Sequence, residues 1–173
     1  MQFLEKEVVR TKMTSVSKLG RTIIETMLME EFGLDGEARR ALAEERKATR
    51  VPWLEQATTI LGERARRLKA ATKASARKRA GVRVHLDRFT SGISVYQNWF
   101  LTNETVDRMG VEAERSTQGS RTRFCLELLN LYSSYYPLPA DLAERLERER
   151  LEQGLTRLEY LRGVWWEYAE RRR

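Results

Sequence analysis

All three prolines of this 173-residue chain fall at two points, Pro52 and the Pro137-Leu138-Pro139 run. With only 10 glycines besides, long stretches are free to be helical. From Ser15 to Phe32, Val16, Leu19, Ile23 and Met27 recur at spacings of three and four, and Ile24, Leu28 and Phe32 widen the stripe. That spacing predicts an amphipathic helix, capped by Thr14 or Ser15 and stopped by Gly33. Asp35 opens a short, very polar segment, Glu37 to Arg50, which Pro52 ends. In Trp53 to Ala80, Leu54, Leu61 and Leu68 sit seven apart, and the stripe then thins to Ala71, Ser75 and Ala76. The segment reads as a helix that starts against the core and continues into water.

Gly81 changes the pattern. Val82, Val84 and Leu86 alternate with Arg83 and His85, a strand signature, and Thr90-Ser91-Gly92 reads as a turn. Ile93 to Leu101, rich in β-branched and aromatic residues, is the second expected strand. Thr102-Asn103-Glu104 can cap a helix to about Arg115, and Phe124, Leu128 and Leu131 mark another ending near Tyr135. Asp141 to Arg173 reads as one long helix, with a bend allowed near Gly154. The expected fold is mainly α, with long N-terminal, basic and C-terminal helices and a short central β ribbon or hairpin over about 82–101. Its three regions, 1–80, 81–136 and 139–173, form one compact unit.

Charge points to a partner. Between Glu63 and Asp87 no acidic residue occurs, while Arg64, Arg66, Arg67, Lys69, Lys73, Arg77, Lys78, Arg79 and Arg83 supply nine positive charges. The whole chain carries +7, from 32 bases and 25 acids, so removing this stretch leaves 23 bases against 25 acids. Concentrated positive charge calls for a polyanion, and nucleic acid is the commonest one. On a helix, Arg66, Lys69, Lys73 and Arg77 share a face that can follow phosphates, with Arg67 and Lys78 flanking it. A plain solvated helix would mix acids among its bases, as Glu144 to Arg150 do.

Residues 96–132 carry a second constellation. Leu101, Glu104, Arg108-Met109, Ala113, Gly119, Ser120-Arg121-Thr122 and Phe124-Cys125 follow one another as strand end, first helix, turn and second helix. This stretch resembles the ribbon-helix-helix family of DNA-binding proteins, with Thr102 standing where the family has proline. The resemblance implies a homodimer that inserts a two-stranded ribbon into the major groove, with Tyr96, Asn98 and Phe100 facing it. Independently of the family, Ser120 can cap a helix whose first turn holds Arg121 and Arg123, a cluster suited to a phosphate.

Other chemistry finds little support. His85 is the only histidine and Cys125 the only cysteine, so neither a disulfide within the chain nor a cysteine-based zinc site is expected. No nucleophile elbow, glycine-rich phosphate loop or metal-ligand spacing appears, and no enzyme, cofactor or metal is expected. No apolar run approaches the roughly 18 residues of a membrane span, and the first residues lack a secretory layout. The expected location is cytoplasmic. Of the aromatics near the end, Trp165 and Trp166 point about 100° apart on a helix, and with Tyr168 they are candidates for a partner interface. The sequence thus predicts a DNA-binding regulator or accessory factor, with RNA as the other nucleic acid. The alternatives are a helical subunit of a larger assembly and a protein-binding adaptor.

Overall fold

The computed structural model describes residues 2–68 and 101–172. Among them are eight α-helices: α1 (Gln2–Thr11), α2 (Val16–Ile24), α3 (Gly36–Thr49), α4 (Trp53–Arg67), α5 (Asn103–Ser116), α6 (Arg121–Ser134), α7 (Ala140–Glu152) and α8 (Arg157–Glu170). Helices α5 and α6 form a hairpin that packs on α2, α7 lies along α4, and α3 lies along α8. No helix among the described residues is long and apolar enough to cross a membrane.

Three expectations are corrected. The expected fold with a central β ribbon gives way to a body that is helical throughout: no strand occurs among the described residues. Residues 82–100 lie outside the described residues, and Leu101 is irregular backbone entering α5. There the Thr102 hydroxyl accepts from the Thr105 N–H at 3.2 Å, so helix capping takes over at once. A β-branched, aromatic composition reports fit to a half-buried surface more than a backbone preference, so it does not by itself assign a strand. Second, the basic helix does not run unbroken from Trp53. Leu68 turns extended (φ −65°, ψ 121°), so only Arg64, Arg66 and Arg67 of the basic run lie on α4. Third, the C-terminal helix is two helices. Gly154, at φ +68°, ends the first, and Thr156 with Glu159 opens the second through a capping box.

The N-termini follow the sequence. Ser15, Asp35, Thr102, Ser120 and Thr156 each accept a backbone N–H with their side chains. Helix α4 starts differently, because Pro52 offers no capping side chain. Instead the Trp53 N–H donates to the buried carboxylate of Glu112 on α5, at 3.4 Å. This contact brings an anion to the positive end of the α4 dipole.

The centre is built on a distorted turn. After α2 the chain continues as a π-helical turn, Glu25–Met29, with the Glu30 N–H donating to the Glu25 carbonyl at 3.2 Å. Three residues then adopt left-handed backbone: Glu31 (φ 44°), Phe32 (φ 61°) and Gly33 (φ 77°). Non-glycine residues there cost about 1–3 kcal/mol each, so the surroundings must hold them. They do. The Phe32 ring lies 4.2 Å from the Trp165 ring and 6.4 Å from that of Trp53, centroid to centroid. The Arg162 Nε–H donates to the Phe32 carbonyl at 2.8 Å. Glu31, almost fully buried, accepts from Arg46 at 2.7 Å and from Arg108 at 2.8 Å.

Trp165→Ala should remove about 3–5 kcal/mol of stability, read as a lower urea midpoint. Gly33→Ala should cost about 1–2 kcal/mol through left-handed strain, because its new Cβ would also sit 2.9 Å from Arg162 Nε. An unchanged midpoint for either protein would show that the turn does not organise the core.

Candidate nucleic-acid interface

The residues singled out from the sequence divide into three groups. Arg64, Arg66 and Arg67 sit on the last turn of α4. Ser120, Arg121 and Arg123 sit at the start of α6. Lys69, Lys73, Arg77, Lys78, Arg79, Arg83, His85 and Asn98 lie outside the described residues.

On α4 the three arginines have different surroundings. The Arg64 guanidinium grips Glu149 of α7 through both Nε and Nη2, and its Nη1 reaches Glu167 of α8 at 2.5 Å. Hydrogen bonding to Glu149 drives its pKa further up and outweighs the opposing effect of burial. Arg67 pairs with Glu63 at 3.0 Å and with Glu167 at 3.5 Å. Arg66 is exposed beside Gly62 and has no carboxylate partner among the described residues. Two of the three positive charges are thus already matched by carboxylates. Both the exposed Arg66 and the paired Arg67 leave from the surface edge where α4 ends.

This pairing continues across the molecule. The Tyr160 hydroxyl donates to Glu149 at 2.5 Å, and burial together with that bond pushes the phenol well above its usual range. Arg172 reaches Glu63 at 3.8 Å and Glu45 at 2.7 Å, while the Tyr168 hydroxyl donates to Glu45 at 2.9 Å. For Glu45, burial pushes the pKa up, but bonds from Arg172 and Tyr168 prevail and hold it below the ordinary carboxylate value.

At α6, Ser120 is the cap, as its sequence position implied: its Oγ accepts from the Arg123 N–H at 3.2 Å. The two arginines do not converge. The Arg121 guanidinium folds back over Gly110 of α5, where a Cβ would lie only 2.9 Å from Nη2. Arg123 leans towards Glu127, with Nε 4.0 Å from Oε1. Of the aromatics, Trp165 and Tyr168 are buried in this chain's own core, whereas Trp166 is 39% exposed. Cys125 is half-buried, and burial pushes its thiol up to about 11.

Charge balance completes the picture. The described residues hold 24 of the 32 bases and 24 of the 25 acids, so the helical body is neutral. Residues 69–100 hold seven bases and one acid, and Arg173 supplies the remaining positive charge. Nothing in the sequence marks Glu149 and Glu167 as partners of the basic run. They lie 85 and 103 residues from Arg64, and nothing in their local spacing marks them. Comparison with protein-family models, with curated proteins and with solved structures gives no match.

Glu149→Ala should cost about 2–3 kcal/mol, somewhat below the loss from breaking a fully buried pair, because Arg64 and Tyr160 lose an acceptor together. The carboxylates held low supply a second test. For Glu7, burial raises the pKa, but hydrogen bonds from Arg10 and Tyr132 lower it further, leaving it below the ordinary value. A folded pKa below the unfolded one gives stability that is present at neutral pH and lost as pH falls through the folded pKa. Glu7→Gln should therefore lower stability at pH 7 and flatten its decline in acid, as followed by urea unfolding across pH.

Proposed function

We propose that this chain is a nucleic-acid-binding protein, with DNA as the favoured partner, acting as a non-catalytic regulator or accessory factor. One observation carries the reading: charge is segregated along the chain. The helical body is balanced to neutrality and spends Arg64 on its own carboxylates, while residues 69–100 keep a surplus of six positive charges. A folded body gains nothing from gathering like charge in one stretch. A polyphosphate partner does gain, because each neutralised phosphate releases condensed counterions. Arg66, exposed at the end of α4, extends the same positive stretch onto the helical body.

A second reading, a helical subunit of a larger assembly, draws on apolar side chains left at the surface. Val9 is 79% exposed and Leu151 54%. Sizing the purified protein with and without a short duplex separates the two readings. A regulator shifts with the duplex alone, whereas an assembly subunit needs other chains.

Replacing Lys73, Arg77, Lys78 and Arg79 with Glu should weaken duplex binding by at least about 100-fold and reduce the salt slope by about 3–4. Arg64→Gln should leave the slope as it is and lower thermal stability instead. Binding and slope that survive the fourfold change would remove the basic run from the interface.

A further inference from the structure

Helix α3 sorts its charges by side. Ala38 and Leu42 are buried, so the opposite side of the helix, centred on Arg40 and Lys47, faces solvent. Residues seven apart on a helix fall within about 20° of one another, and these two bases share one line. Arg39, and Arg50 where the helix closes, lie roughly 80–100° round from Arg40 on one side of that line. All four bases are exposed. On their side Arg46 bonds to Glu31, which also accepts from Arg108 of α5. One buried carboxylate is thus shared by two guanidinium groups, and a positive charge is left over behind the exposed ones. The acids of α3 keep to the other side. Glu45 is turned towards the end of α8, where Arg172 and Tyr168 bond to it. Glu37 and Glu44 lie on the exposed edge in between. Although Glu44 stands four residues after Arg40, none of the four exposed bases forms an ion pair among the described residues. Bases held together in this way repel one another, and an anion that spans them relieves the repulsion.

Resting on the nucleic-acid reading, we infer that the basic side of α3 contacts the phosphate backbone of a nucleic-acid duplex. From Arg39 to Arg50 the helix rises about 16 Å, a length along which one DNA strand carries about five phosphates. Each of the four bases can therefore meet a phosphate of its own. Three of the four are guanidinium groups, which take phosphate oxygens in pairs. The helical body is neutral overall, so the field of these bases fades within about a nanometre at physiological salt. This surface acts at contact and not at a distance. Glu37 and Glu44 also give the contact a direction: a duplex laid across α3 leans towards α5, away from the two carboxylates.

The experiment compares the pair Arg40→Gln and Lys47→Gln with the pair Lys6→Gln and Lys18→Gln, which removes the same charge from exposed sites on α1 and α2. Both double variants and the unaltered protein are titrated with a short DNA duplex across a salt series, and separately with poly-glutamate. The α3 pair should bind the duplex about 5- to 20-fold more weakly at a given salt, with the salt slope reduced by about 2. The Lys6 and Lys18 pair should stay within about 2-fold of the unaltered protein and keep its slope. Equal behaviour of the two pairs overturns the α3 contact and leaves nucleic-acid binding standing. A loss seen with poly-glutamate and not with the duplex assigns this side of α3 to an acidic polypeptide and overturns the contact too. Failure of the unaltered protein to bind the duplex at low salt overturns both.

Discussion

The fold depends on how Phe32 is presented. A helix that simply stopped after Met29 would carry its next aromatic side chain along the chain's own axis. The π-helical turn and the left-handed residues behind it turn that ring inward instead, between two tryptophans from separate helices. The same turn puts the Glu31 carboxylate beside arginines of α3 and α5, and hands a carbonyl to Arg162 of α8. Four helices therefore take their positions from three residues. Aromatic burial and charge-assisted hydrogen bonds offset the backbone strain.

Around that centre, polar contacts select one arrangement of helices that apolar packing alone would leave loose. Glu147 is buried and accepts from both Arg150 and Arg157, while Tyr135 donates to it. Glu7 ties α1 to Tyr132 of α6 in the same way. Buried pairs of this kind contribute little net stability against apolar equivalents, but a slipped register would leave their charges unpaired. Their value here is in fixing which turn of α7 faces which turn of α8.

Much of the helical framework was legible in the sequence. The stripe from Val16 to Met27, the caps at Ser15, Asp35, Thr102 and Ser120, and the break at Pro137-Leu138-Pro139 all act locally, so local spacing reveals them. Thr156 and Glu159 have the spacing of a capping box, but the leucine spacing on either side of Gly154 suits one continuous helix as well. The left-handed turn was not legible. Phe32 continues the apolar stripe whether the backbone is α, π or left-handed, and only its distant tryptophans decide. The basic cluster was visible as composition, but its pairing was not. Whether an arginine is free or spoken for depends on carboxylates brought in by other helices.

The neutrality of the helical body bears on how the molecule moves before it touches anything. A body whose own charges cancel contributes only short-ranged fields, which salt screens within about a nanometre. The long-range potential then originates almost wholly from one stretch of sequence. Towards a polyanion the neutral body would add little attraction of its own, and the steering of an encounter would fall to that stretch alone.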